Sequence, residues 1–171
     1  MKIKSDKVKI RLGISSCLMG EKVRYDGTHK LESLILENLG KNVEFVSVCP
    51  EKECGWGIPR DPVRLEGEPG CPRIVTIKTG RDYTESLTAW ARRRVLDLEQ
   101  EKLSGFIFKS RSPSCGMQQV MVYSERRDAA NKGTGIFAKI FMQHFPLIPA
   151  EDNDRLYDPA IRNIFIKRIF T

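Results

Sequence analysis

Three cysteines stand just after short apolar runs, in local sequences that place a sulfur at the end of a strand. They are Cys17, Cys49 and Cys115, and the runs before them resemble separate buried strands. If these strands are parallel neighbours in one sheet, their carboxyl ends and the three thiols lie along one edge. Thiolates are soft ligands that suit zinc, copper(I) or an iron–sulfur cluster. Three protein ligands leave one coordination position open, which is typical of chemistry rather than structural support.

The other two cysteines, Cys54 and Cys71, bring the total to five. An odd number in a chain of this size argues against disulfides and favours metal binding or catalysis. Cys49 and Cys54 have the wide spacing of half a zinc site, but no second pair of ligands follows. We expect Cys54 and Cys71 to be ordinary buried small residues. A fourth thiolate from Cys54 would instead close the coordination sphere and leave no place for a substrate.

Other residues near these cysteines have chemical uses of their own. Glu51 could act as a general base or acid if its surroundings raise its pKa, or it is a solvated loop carboxylate. Ser112 and Ser114 could hydrogen-bond a substrate or a cluster sulfur, or cap the following turn. Lys109 could offset the negative charge of thiolate ligands. Asp26 precedes a glycine, and its spacing alone favours a role in forming a turn.

Strand and helix alternate along the chain, which is typical of a three-layer α/β sandwich with a mostly parallel, Rossmann-like sheet. The patterns predict strands over 8–15, 43–48, 105–109 and 120–123, and helices over 31–39, 87–103, 136–144 and from 158 onward. They also predict a small hairpin or a strand and a turn over 73–84, and an extended edge over 146–149. We interpret the Gly- and Pro-rich segment 51–72 as a long ordered loop over the sheet edge.

The size and charge of the chain limit its class. At 171 residues and 19.5 kDa, it fits one domain over 1–171. The net charge of +7 suits an anionic substrate or RNA, but solvated surface cations explain it equally well. We place the arginine run at 92–94 on the solvent side of its helix. No apolar stretch approaches the roughly 20 residues of a membrane span, and the first residues lack the apolar core of a secretory signal. We therefore expect a cytoplasmic protein with no membrane partner.

Four short segments, 15–20, 23–27, 49–51 and 112–116, together resemble the thiouracil desulfidase family. The resemblance extends over about 8–170. It implies a [4Fe-4S] cluster held by Cys17, Cys49 and Cys115, and hydrolytic removal of sulfur from a thiolated uracil base or nucleoside. The stretch from 154 to 170 resembles the branch that acts on 4-thiouridine in transfer RNA, in which a second domain follows. Transfer RNA is therefore an alternative substrate and partner.

The resemblance also implies roles for individual residues. The iron without a cysteine ligand would take the substrate sulfur, and a water activated by Glu51 would attack the ring carbon. Ser112 would relay a proton or orient the substrate, with Ser114 as the alternative. Lys109, Ser114 and Asp26 are the expected substrate-binding residues.

Two readings outside this family stay open at the level of sequence. One is a non-catalytic metal or iron–sulfur module that stores or delivers sulfur, which four cysteine ligands would favour. The other is a redox thiol protein that uses Cys49 and Cys54. The second is less favoured because no Cys-x-x-Cys motif opens a helix in this chain.

Overall fold

The fold is taken from a computed structural model that describes residues 9–126 and 128–171. Its strands are β1 (Ile10–Ser15), β2 (Val43–Val48), β3 (Val63–Glu66), β4 (Arg73–Thr76), β5 (Gly105–Phe108), β6 (Val120–Tyr123), β7 (Ala129–Gly133) and β8 (Ala150–Asp152). Its helices are α1 (Ser33–Leu39), α2 (Pro50–Glu53), α3 (Thr84–Glu101), α4 (Ile136–His144) and α5 (Pro159–Ile169). Within the described residues, none of these helices is long and apolar enough to cross a membrane.

The main sheet is parallel throughout, in the order β2-β1-β5-β8. The chain leaves β1 toward β2 on one side, and the later strands β5 and β8 lie on the other side of β1. The strand order therefore reverses between β1 and β5. In open α/β sheets, such a reversal leaves a crevice at the carboxyl ends of the strands, where ligands bind.

Helices cover both faces of this sheet, which gives three layers. Leu12 and Ile14 of β1 pack with buried residues of α1 and α5 in one apolar cluster. Phe106 and Phe108 of β5 point to the other face and pack with α3 and α4. Gly13 is required beneath these rings, because a Cβ there would stand 2.2 Å from Cδ2 of Phe106. The predicted α/β class with a mostly parallel sheet is confirmed.

A second, mixed sheet in the order β4-β3-β6-β7 was not predicted. The interpretation of 51–72 as one loop is wrong, because this segment contains most of α2 and all of β3. Strand β3 is four residues long and pairs in parallel with β6, far along the chain. Leu65 and Val122 join this sheet to the apolar cluster beneath α3 and α4. Because β3 is short, is flanked by Gly and Pro, and pairs with a distant strand, its own sequence shows little of the alternation that would predict a strand.

Several predicted boundaries are also corrected. The extended edge expected over 146–149 begins later, as β8. Of the two alternatives for 73–84, the strand and a turn is confirmed: β4 is followed by a turn and an isolated bridge between Val75 and Asp82, and α3 starts at Thr84. The arginine run lies largely on the solvent side, as expected. Arg92 and Arg93 are exposed, whereas Arg94 is half-buried and its Nε donates to Glu53 of α2 at 2.9 Å. The helices at 136–144 and after Asp158 are confirmed.

Candidate functional site

The carboxyl ends of β1, β2 and β5 open into one cavity of about 270 Å³. Its wall contains all three cysteines predicted to bind metal. It also contains most of the other predicted site residues, namely Glu51, Lys109, Ser112 and Ser114. Asp26 is not part of this wall. The strand-order reversal between β1 and β5 thus brings together residues that are up to about a hundred positions apart in the chain.

Cys17 and Cys49 are held by short helical turns that follow their strands. Cys17 lies in the 3₁₀ turn Ser16–Met19, and its carbonyl accepts the backbone N–H groups of Gly20 and Lys30. Cys49 is the N-cap residue of α2. The carboxylate of Glu53 accepts the N–H of Cys49 at 2.9 Å, which ties the first residue of the turn to the last. Backbone bonds rather than packing alone therefore fix both cysteines.

The loop that carries Cys115 is anchored on two sides. The N–H groups at the start of α4 donate to loop carbonyls, Ile136 to Pro113 and Phe137 to Ser114. Because the first N–H groups of a helix have no partner within it, these bonds satisfy them and fix the loop. On the other side, the carboxylate of Asp152 in β8 accepts the N–H of Met117 at 2.9 Å.

Burial raises the pKa of each of these three thiols. The pKa of Cys17 rises to about 11, with a smaller opposing contribution from Lys109. Burial also raises the pKa of Cys49 and, most strongly, that of Cys115, where the hydroxyls of Ser15 and Ser114 offset it only in part. Thiolates at these positions therefore need a compensating cation nearby.

Three thiols are a donor set that suits a soft metal centre such as an iron–sulfur cluster. Among residues 9–126 and 128–171, no group of three Cys, His, Asp or Glu side chains is found that could hold one metal ion. In an iron–sulfur cluster, the thiolates bind separate irons and can stand further apart. Three thiols around one cavity, each destabilised as a bare thiolate, fit such a cluster.

Glu51 forms an ion pair that the sequence did not indicate. Nη2 of Arg60 lies 3.2 Å from Oε2 of Glu51, and the two side chains are 5% and 21% exposed. Burial raises the pKa of the Glu51 carboxyl, and the Arg60 guanidinium opposes that shift. The carboxyl is thus neither a fully solvated loop residue nor an isolated buried acid.

The two serines before Cys115 have different surroundings. The hydroxyl oxygen of Ser112 accepts the N–H of Ser114 at 3.3 Å and of Cys115 at 3.1 Å, so it caps the turn. Ser114 is buried, and its hydroxyl donates to Sγ of Cys115 at 3.8 Å. The two hydroxyl oxygens are 3.1 Å apart. Ser112 is therefore the more accessible hydroxyl, and Ser114 contacts the thiol.

Charged and aromatic residues complete the wall of the cavity. Nζ of Lys109 donates to the Ser110 carbonyl at 2.8 Å, and burial lowers the pKa of the amine. Arg24 and Tyr25 also line the cavity, although the sequence reasoning selected their neighbour Asp26. Asp26 instead accepts the N–H of Thr28 at 3.0 Å in an exposed turn. Its predicted role in substrate binding stays a prediction.

Cys54 and Cys71 lie outside the cavity wall. The thiol of Cys54 donates to the Ser86 carbonyl at 3.8 Å and packs against the apolar cluster beneath α3. This matches its expected role as a small packed residue. Cys71 is exposed, so the expectation that it is buried is wrong.

Comparison with known proteins agrees with this site. A protein-family description of 2-thiouracil desulfurases matches residues 12–153, which is most of the chain. The chain belongs to the 2-thiouracil desulfurase family. The resemblance read from four short segments is thereby confirmed.

The chain is also similar to a curated bacterial protein and to a solved structure. YbbK of Bacillus subtilis (strain 168), an uncharacterized protein, is 34% identical over 109 residues, which are 60% of this chain and 71% of YbbK. The solved structure of TudS, a [4Fe-4S]-dependent thiouracil desulfidase, superposes with a TM-score of 0.70 at 28% identity. That match covers 90% of this chain and 97% of TudS.

Proposed function

We propose that this chain is a [4Fe-4S]-dependent desulfidase that uses water to convert a thiolated uracil base into uracil, or the corresponding nucleoside into uridine, with release of hydrogen sulfide. The observation that carries the proposal is one cavity lined by a carboxylate and three thiols, two half-buried and one buried, in a member of the 2-thiouracil desulfurase family. The dependence of TudS on a [4Fe-4S] cluster supports the same cofactor here.

Cys17, Cys49 and Cys115 would hold the cluster. Their raised thiol pKa values support this, since binding to iron supplies the positive charge that buried thiolates require. When bound, the cluster would supply an iron with an open position, a Lewis acid that polarises the C–S bond of the substrate. Lys109, beside Cys17 in the cavity wall, would offset the net negative charge of the three thiolates.

Glu51 is the group proposed to activate water. Its Oε2 is engaged by Arg60, so its Oε1 would take a proton from the attacking water. Burial raises the pKa of Glu51, and the Arg60 guanidinium opposes that rise and so favours the ionised, basic form. As the C–S bond breaks, the new C–O bond becomes a carbonyl. The proton held by Glu51 and the second proton of the attacking water both pass to the sulfur, which departs as hydrogen sulfide.

Ser112 and Lys109 would orient the substrate. The hydroxyl oxygen of Ser112 accepts two backbone N–H groups of the turn, which leaves its proton for donation to Ser114 or to a substrate. It would donate to a ring carbonyl or pass a proton through Ser114, 3.1 Å away. The ammonium of Lys109 would attract the sulfur or oxygen of an anionic thiolated ring.

The dimensions of the cavity support a small substrate. About 270 Å³ is just below the range of roughly 300 to 1,000 Å³ that is typical of small-molecule sites. A base or a nucleoside suits this volume better than a long segment of RNA. We therefore propose the free base or nucleoside rather than thiouridine within transfer RNA.

The first test measures metal and turnover on protein purified without oxygen. We expect about four irons and four sulfides per chain, and release of uracil and sulfide from 2- or 4-thiouracil. Replacing Cys17, Cys49 or Cys115 with serine should remove the cluster and the turnover. Cys54→Ala and Cys71→Ser remove thiols outside the cavity and serve as matched controls. A cluster lost equally in these controls, or zinc in place of iron, would refute the proposal.

The second test concerns the carboxylate. Glu51→Gln should keep the iron content and lower kcat by about 10²- to 10⁴-fold, the usual contribution of a general base. Glu37→Gln changes an exposed carboxylate of α1 and is the control. Turnover of Glu51→Gln equal to that of the control would remove Glu51 from the mechanism.

A further inference from the structure

Arg60 lies behind the cavity rather than in its wall. It belongs to the segment between α2 and β3 and does not line the cavity that holds the cysteines. Its side chain is nevertheless only 5% exposed. Its backbone N–H donates to the carbonyl of Tyr25 at 2.9 Å. The residue is thus built into the structure immediately beside two residues of the wall, Tyr25 and Glu51.

The guanidinium of Arg60 joins three separate segments. Nη1 donates to the Gly57 carbonyl at 2.8 Å, and Nη2 donates to the Val23 carbonyl at 2.8 Å. Nη2 also reaches Oε2 of Glu51 at 3.2 Å. These bonds tie α2, which carries Glu51, to the loop after β1, which carries Arg24 and Tyr25.

One nitrogen of the Arg60 guanidinium is held in a position that does not favour the stability of the fold. Nε of Arg60 is buried and has no hydrogen-bond partner within residues 9–126 and 128–171. A buried donor without a partner is unfavourable, and such groups are rare and need an explanation. The explanation suggested by the contacts is that the two terminal nitrogens are held where Glu51, Val23 and Gly57 require them.

The two oxygens of Glu51 differ as a result. Oε2 accepts from Arg60, whereas Oε1 has no hydrogen-bond partner in the described parts of the chain. Because Glu51 is a wall residue, the cavity is where a partner for Oε1 would come from. A carboxylate held through one oxygen, with the other free, is prepared to accept a proton from a water in a fixed place.

We propose that Arg60 is a positioning residue for desulfidation, which fixes the Glu51 carboxylate through Oε2 so that Oε1 meets the attacking water. This inference rests on the proposed function. Arg60 acts through Glu51 and does not touch the substrate. Its forked guanidinium supplies donors in two directions at once, a geometry that the single ammonium of a lysine does not reproduce.

The test is a double-mutant cycle on cluster-loaded protein, with Arg60→Gln, Glu51→Gln and the double variant. Arg64→Gln is the matched control, because it breaks an arginine–carboxylate pair of similar length, 2.8 Å to Glu66, on β3. Iron per chain, kcat and KM for 2-thiouracil are measured for each protein. Amide hydrogen exchange over 21–28 and 50–57 is measured as a readout independent of turnover.

We expect Arg60→Gln to lower kcat by about 10- to 100-fold, part of the contribution of a general base, with iron content and KM little changed. In the double variant, kcat should equal that of Glu51→Gln alone, since residues acting as a unit are not additive. Exchange over 21–28 and 50–57 should be faster in Arg60→Gln and unchanged in Arg64→Gln. Arg60→Lys should recover little of the lost kcat.

Two results would overturn the inference. One is a kcat of Arg60→Gln equal to that of the wild type. The other is an additive cycle, in which Arg60→Gln lowers kcat by the same factor in the Glu51→Gln background as in the wild type. A wild-type protein with a cluster but no turnover would refute the proposed function instead. In that case, unchanged amide hydrogen exchange over 21–28 and 50–57 in Arg60→Gln would refute the inference that Arg60 holds these two segments together.

Discussion

The stability of the fold should depend on pH through one buried carboxyl, Asp152. This residue ends β8, is 2% exposed, and accepts the N–H of Met117 in the loop that carries Cys115. Burial raises the pKa of its carboxyl from 3.8 to about 6, and the Met117 hydrogen bond opposes this only in part. Ionised Asp152 therefore costs stability at neutral pH.

The sign follows from proton binding. The folded protein binds the Asp152 proton more tightly than the unfolded chain, so the protonated carboxyl stabilises the fold at low pH. This stabilisation is lost as the pH rises through the window from 3.8 to about 6. The difference between these pKa values corresponds to about 3 kcal/mol in total, of which about half is lost below pH 5 and the rest between pH 5 and pH 8.

Asp152→Asn removes the charge and keeps an oxygen that accepts from Met117. We expect the variant to gain stability relative to the wild type as the pH rises, by about 1 to 1.5 kcal/mol between pH 5 and pH 8. The free energy of unfolding is measured by urea denaturation of the metal-free proteins at several pH values. Asp97→Asn, an exposed aspartate of α3, is the control. A constant difference between Asp152→Asn and the wild type across this range would refute the argument.

Three further outcomes test individual features. Tyr25→Ala should raise KM for 2-thiouracil by about 5- to 150-fold, because stacking of a base on an aromatic ring contributes about 1 to 3 kcal/mol and Tyr25 presents a half-exposed ring in the cavity wall. Tyr25→Phe should stay near wild type, and equal KM values in all three proteins would exclude stacking. Gly13→Ala should destabilise the fold by about 1 to 3 kcal/mol or more, because the Cβ of the new alanine would collide with the Phe106 ring. An unchanged melting temperature would contradict this packing. Asp158→Ala should lower Tm by about 2 to 4 °C, because the Asp158 side chain caps α5 by accepting the N–H of Ala160 at 2.8 Å. Tm is measured by calorimetry, and an unchanged value would show that the cap does not stabilise the fold.

Local chemistry explains the parts of the fold that the sequence predicts well. The segment 43–48 contains three valines and a phenylalanine among its six residues and ends at a Cys-Pro pair, so strand β2 could be placed to the residue. The Asp158-Pro159 pair marks the start of α5, because an aspartate cap and a proline in the first turn act within a few residues. The convergence of three cysteines followed from the geometry of parallel strands alone.

The sequence predicts β6 and a strand that contains β4, but not the second sheet, because β3 is short and its pairing with β6 is distant in the chain. Leu65 of β3 pairs with Val122 of β6, and neither strand exceeds four residues. A strand of that length between glycines and prolines carries too few alternations to distinguish it from a loop. Strand β3 forms because it pairs with β6, and the local sequence around β3 does not indicate that partner.

The amino-acid sequence by itself therefore predicted the family, the parallel sheet and the three cysteines that line one cavity of this protein. Thiol chemistry and the ends of apolar runs are properties of a residue and its immediate neighbours. The tertiary structure alone decided which charges surround that site. The pairing of Arg60 with Glu51, the exclusion of Asp26 from the cavity wall and the anchoring of the Cys115 loop by Asp152 all depend on contacts between separate segments. Such contacts form only when the chain has closed around its core, so no local pattern can specify them.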